Sequence, residues 1–173
     1  MKMKAPLLDQ LPLVSSTRRN HALEHATMTI LSMRIPGVRM AGVSNPTGFY
    51  LISDLPTELV TDAVLEAQRR LNQGESSLAI HPHCGTNLVT SVGVAAGAAG
   101  LILFATAWGK KPRWYSYILA ALAAVPAFFM AKPLGPRVQK TITTSSDLNG
   151  MKVILVTSQK AGNNFIHRIS TSA

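Results

Sequence analysis

The chain has a single cysteine, Cys84, among 173 residues. One thiol excludes an internal disulfide framework, so the fold rests on packing, its chemistry must tolerate a free sulfhydryl, and a reducing compartment is the expectation. Charge is scarce as well. Only 14% of the residues are charged and 47% are hydrophobic, a balance too apolar for a soluble domain of this length, which places part of the chain in lipid. The first fourteen residues hold Lys2, Lys4, Asp9, Gln10 and two prolines but no continuous apolar run, so they read as an irregular arm and not as a signal peptide. The net charge of +9 suits nucleic acid or an anionic lipid surface. With neither an aromatic stacking platform nor a nucleic-acid-binding motif present, no nucleic-acid partner is expected, and the lipid bilayer is.

Two long stretches lack charge altogether. From Leu88 to Trp108 there is about the length needed to cross a hydrocarbon core, and a second apolar stretch runs from Trp114 to Ala131. Lys110, Lys111 and Arg113 separate them, and Trp108, Trp114, Tyr115 and Tyr117 gather at the same end as an interfacial belt. The pair reads as a two-span transmembrane hairpin with Pro126 kinking its second helix. Gly93 and Gly97 form a G-x-x-x-G face with Ala120, Ala123, Ala124 and Ala127 opposite, suited to packing this hairpin and, as the sharper reading, to homo-oligomer contacts. The basic residues flanking the spans do not decide orientation. The lone thiol and the missing signal peptide favour soluble parts on the cytoplasmic side.

The remainder reads as α+β. Apolar residues Leu23, Ala26, Ile30 and Leu31 recur at helical spacing in a run capped somewhere among Ser15, Ser16, Thr17 and Asn20 and stopped by Pro36-Gly37. Val38–Ser44 and Phe49–Ile52 form a hairpin around Asn45-Pro46-Thr47-Gly48. A second helix follows from Pro56 to about Leu71, with Leu59, Val60, Ala63, Val64 and Ala67 on its apolar side, and Ser77–His81 reads as a third strand. Val153–Thr157 and Phe165–Ile169 are strands placed to complete the sheet, and His167 within them is structural. The expected order is therefore helix, strand, strand, helix, strand over residues 1–87, a transmembrane hairpin over 88–131, and a C-terminal β segment over 132–173 packing on the N-terminal domain.

Four of the five histidines and the only cysteine fall in two short segments. His21 and His25 lie one helical turn apart on one face with Glu24 between their directions, the H-x-x-E-H order of inverted zinc hydrolases. That helix borders the apolar stripe, so the imidazoles sit at a buried edge. His81-Pro82-His83-Cys84 offers imidazole nitrogen and thiolate sulfur, the donors zinc prefers, and His81 and Cys84 are the better placed, because the proline and Gly85 end any strand before His83. Cys84 would stand at the N-terminus of the first span, where a helix end favours thiolate. The metal ligands are thus drawn from His21, His25, His81 and Cys84 around one zinc ion. Three protein ligands would leave a water position with Glu24 as general base; four would close the site. A rival assignment makes Cys84 a nucleophile with His81 or His21 as base, but it leaves the second helix histidine without a role.

The segments Asn20-His21-Ala22-Leu23-Glu24-His25-Ala26-Thr27 and His81-Pro82-His83-Cys84-Gly85-Thr86-Asn87-Leu88 resemble the signature of a family of small, uncharacterised bacterial membrane proteins, and the likeness extends through both spans to Thr141–Ser145. The pair is also similar to H-G-A-E-H and H-P-R-C-G-T in a larger bacterial membrane family described as metal-dependent enzymes, over the motifs and the following span only. That resemblance implies roles for His21, Glu24, His25, His81 and Cys84. It departs at Ala22-Leu23, where the larger family has Gly-Ala, at His83, where it has arginine, and at Asn87, where it has serine. The expectation is a membrane-anchored zinc-dependent hydrolase of peptidase or amidase type, acting on a peptide or small-molecule substrate that the sequence does not identify. Its rival is a non-catalytic membrane adaptor or assembly protein with a structural zinc.

Overall fold

The computed structural model describes residues 7–108 and 110–172. The chain divides into two compact units: the part up to His81 joined by Lys140 onward, and residues 82–139. Residues 1–6 of the expected N-terminal arm lie outside the described residues. Its described part is not irregular. A 3-10 turn, Leu7–Gln10, leads into helix α1, Pro12–Arg34, which begins upstream of the expected caps because Pro12 sits at its first turn, where a missing N–H costs nothing and φ is already helical.

In the first unit α1 is followed by strands β1 (Met40–Asn45) and β2 (Gly48–Ser53), helix α2 (Thr57–Asn72), and, late in the chain, β3 (Val153–Ala161) and β4 (Asn164–Thr171). The Asn45 side chain accepts from the Thr47 backbone and hydroxyl, both at 3.0 Å, closing the first hairpin with an Asx turn. The C-terminal strands do complete the sheet, which runs β1-β2-β4-β3 with every pairing antiparallel. Helix α1 packs on β1 and β2, and α2 on β3 and β4. Strand alternation then turns Phe49, Leu51, His167 and Ile169 toward the helices, where all four are fully buried with Leu23, Leu31, Val60 and Val64. The expected α1 stripe of Leu23, Ala26, Ile30 and Leu31 is buried throughout, whereas Leu59, assigned to the inner face of α2, is exposed.

The third strand expected at Ser77–His81 does not form. Ser76–Ala79 is a 3-10 turn, with Leu78 and Ala79 anchored in the core. A three-residue apolar run, Leu78-Ala79-Ile80, carries too little periodicity to choose a strand over a turn, and consecutive serines favour local backbone bonding.

The second unit contains α3 (Gly85–Ala107), α4 (Trp114–Met130) and the short α5 (Leu134–Val138). Helix α4 continues through Pro126, and the chain breaks direction later, at 131–133. The less exposed residues of α3 follow Ser91, Ala95, Ala98 and Ile102, and those of α4 follow Ser116, Ala120, Ala123 and Ala127, so two small-residue seams bring these helices together. The alanine face of α4 is as expected. The glycine face of α3 is not its counterpart: a Cβ added at Gly93 or Gly97 would meet nothing within 4 Å. Gly135, in contrast, is required by close approach, since a Cβ there would lie 2.4 Å from the Asn87 side-chain oxygen. Among the described residues one helix, α3, is long and apolar enough to cross a membrane, or two if α4 and the following Leu134–Thr143 are taken as one bent span.

Candidate metal centre

Helix α1 is unusual in what it buries. Its inner face carries Arg18, Asn20, Glu24, His25 and Thr27 alongside the apolar stripe, and buried polar groups persist only where partners are supplied. Each has an identifiable partner. The Arg18 guanidinium meets Asp9 at 2.5 Å and donates to the carbonyls of Thr141 and Thr144 at 3.1 and 3.0 Å, while its own carbonyl accepts from Ser145. Asn20 donates to the Asn45 carbonyl at 2.9 Å and accepts from the Thr171 hydroxyl at 2.7 Å. These bonds hold the returning segment 141–145 and the ends of β1 and β4 against the helix at the level of His21.

That arrangement sets the histidines. His21 Nδ1 lies 3.0 Å from the Thr143 carbonyl oxygen, and His25 Nδ1 lies 2.9 Å from that of Ala79. A carbonyl can only accept, so both Nδ1 atoms carry a proton, and in the neutral ring the lone pair falls on Nε2. The 3-10 turn that replaces the expected strand is what presents the Ala79 carbonyl. The two rings are 4.2 Å apart between centroids, and the buried His81 ring is 5.8 Å from that of His25. Three of the four expected ligands therefore converge inside the first unit.

Glu24 is buried beside them. Its carboxylate accepts from the Ser44 hydroxyl and lies over Gly42, where a Cβ would fall 2.3 Å from a carboxylate oxygen. Neither Gly42 nor Ser44 was singled out by the sequence. The only available signal was their alternation on β1, which puts both on the strand face turned to α1.

Cys84 belongs to the second unit, where it is the N-cap of α3 and its sulfur accepts from the Thr86 N–H at 3.4 Å. His83 is exposed. Within the first unit His21 and His25 offer two imidazole donors, and Cys84 offers the thiol that would make a His/His/Cys set. Two imidazoles with Nδ1 anchored by carbonyls are what a metal site requires of its second layer, because the anchor fixes the ring and directs Nε2 to the ion.

His167 stands apart from this centre. It is fully buried in β4, its ring 5.9 Å from Phe165, and neither nitrogen makes a well-formed hydrogen bond. Burial pushes its imidazole below the ordinary value of 6.5, an effect that the nearby Leu55 backbone offsets only in part.

The chain resembles known proteins over most of its length. An uncharacterized protein of Picosynechococcus sp. is 35% identical over 158 residues, covering 84% of this chain and 75% of the relative. No solved structure matches. Residues 16–156, which include every candidate ligand and both long apolar helices, match the model of a domain of unknown function, DUF6391, and the chain belongs to that family.

Proposed function

We propose that the protein is a membrane-anchored, zinc-dependent hydrolase of peptidase or amidase type, with its soluble part on the cytoplasmic side. The observation that carries this reading is the pair of carbonyl anchors at 3.0 and 2.9 Å, which commit both helix imidazoles to present Nε2. His21, His25 and Cys84 would hold the ion, with His81 beside them as the further donor. Three peptide units separate His81 from Cys84, which keeps their Cα atoms within about 11 Å. Mixed nitrogen and sulfur donors favour zinc over magnesium or calcium. Zinc so held supplies Lewis acidity and lowers the pKa of water toward neutrality.

Glu24 is the residue for proton transfer. Ser44 engages one carboxylate oxygen and fixes the side chain's direction, and the carboxylate would take a proton during attack on an amide and return it to the leaving nitrogen. The likeness of the two short motifs alone to those of metal-dependent membrane enzymes supports the same assignment. The apolar α3 supports the membrane anchor, and association of copies through the outward Gly93 and Gly97 belongs to the same reading.

The test is metal analysis of the purified full chain together with Glu24→Gln. About one zinc per chain, lost in a His21→Ala/His25→Ala double variant and retained in Glu24→Gln, is expected. Hydrolysis of a peptide or amide library should fall on the order of a hundredfold or more in Glu24→Gln. A metal-free protein, or unchanged turnover in that variant, would sink the proposal. The adaptor reading is favoured by one observation, the placement of the buried His81 ring 5.8 Å from that of His25. It requires a saturated ion, so X-ray absorption that shows an exchangeable oxygen ligand decides against it.

A further inference from the structure

Between Glu75 and Asp147 the sequence contains no aspartate or glutamate, yet residues 82–139 carry Lys110, Lys111, Arg113, Lys132 and Arg137. Three of these cations follow α3 and two follow α4, so each end of the helix pair has positive charge and neither has an acidic residue. The charge has to be balanced from outside this unit's own sequence.

At the end where α3 begins and α4 finishes there is a groove of about 400 Å³, lined by Leu88, Ser91, Phe128, Lys132 and Pro136 among others. Its volume falls within the ~300–1,000 Å³ typical of ligand sites, and its walls are chiefly apolar with one cation at the rim. Lys132 is exposed, its ammonium stands 4.8 Å from the centre of the Phe129 ring, and no carboxylate lies within ion-pair distance of it among the described residues.

We propose that this groove binds an anionic phospholipid, with an acyl chain along Leu88 and Phe128 and the phosphate at Lys132. An inorganic anion would satisfy the ammonium and leave the apolar walls wet. A zwitterionic lipid would fill the walls and bring no net charge to a unit whose cations have no acidic residue of the same unit to offset them. Only a ligand with both parts answers both features. The inference rests on the membrane reading above, but not on the metal or on catalysis.

The full chain is reconstituted into vesicles of equal phosphatidylglycerol and phosphatidylcholine, extracted in mild detergent, and its retained lipid measured by native mass spectrometry. Phosphatidylglycerol is expected to be retained about fivefold over phosphatidylcholine. Lys132→Glu should abolish that preference, Lys132→Arg should keep it, and Lys110→Glu, at the far end of the helix pair, should leave it unchanged. Leu88→Trp, which fills the groove and spares the charge, should lower retention of both lipids. Equal retention of the two lipids by the unaltered chain overturns the proposal, as does a preference that survives Lys132→Glu. Displacement of the bound lipid by millimolar inorganic phosphate would reassign the site to a free anion. A chain that enters neither lipid overturns the membrane reading itself, whereas entry without preference overturns this site alone.

Discussion

Gly42 has no side chain for a reason that lies on another element, the Glu24 carboxylate stacked over its α-carbon. Gly42→Ala places a methyl group against that carboxylate. We expect a loss of about 1–3 kcal/mol in thermal or denaturant unfolding, zinc content unchanged, and turnover reduced along with Glu24's displacement. His167 makes a separate prediction. Its folded-state pKa lies below the ordinary 6.5, so the unfolded chain binds more protons between those two values. Its contribution to stability is complete above about pH 6.5 and is lost as pH falls from there through the folded pKa. In His167→Leu that part of the pH dependence should vanish, and the variant should gain on the natural chain as urea midpoints are compared from pH 7 downward; parallel curves would refute it. At this scale the H-x-x-E-H spacing was readable because helix geometry alone sets two side chains one turn apart. The carbonyls of Thr143 and Ala79 were not, because they come from 122 and 54 residues away and carry no side-chain signature.

The two apolar helices show how one element can be read correctly in its limits and wrongly in its faces. Absence of charge marked α3 and α4, and the alanines of α4 marked its seam. The glycines of α3 satisfied the same small-residue rule as Ser91, Ala95 and Ala98, so two seams competed and packing chose the second. Ala98→Leu and Ala120→Leu should therefore each destabilise the helix pair by about 1–3 kcal/mol in detergent melts. Gly93→Leu and Gly97→Leu should leave that melt in place and reduce cross-linked dimers, a result that intact dimers would contradict. The misread third strand has a similar origin. Four apolar or small residues fit several conformations, and the choice of a 3-10 turn was made by the core positions available to Leu78 and Ala79.

For the molecule as a whole, an ion held by residues that are dispersed in the unfolded chain stabilises the folded state by mass action, about 4 kcal/mol at a thousandfold excess over Kd. Chelation should lower the melting temperature of the full chain and readdition of zinc restore it, whereas His21→Ala/His25→Ala should melt at one temperature with or without chelator. A chelator effect that persists in the double variant would place the ion elsewhere. By itself the sequence determined the α+β character, the apolar helices and the residues with metal-binding chemistry, because periodicity, charge and donor type are local properties. Tertiary structure alone decided the sheet order β1-β2-β4-β3, which joins strands more than a hundred residues apart. It also decided which nitrogen of each helix imidazole carries the proton, since that is fixed by a hydrogen bond to a carbonyl that only folding brings near.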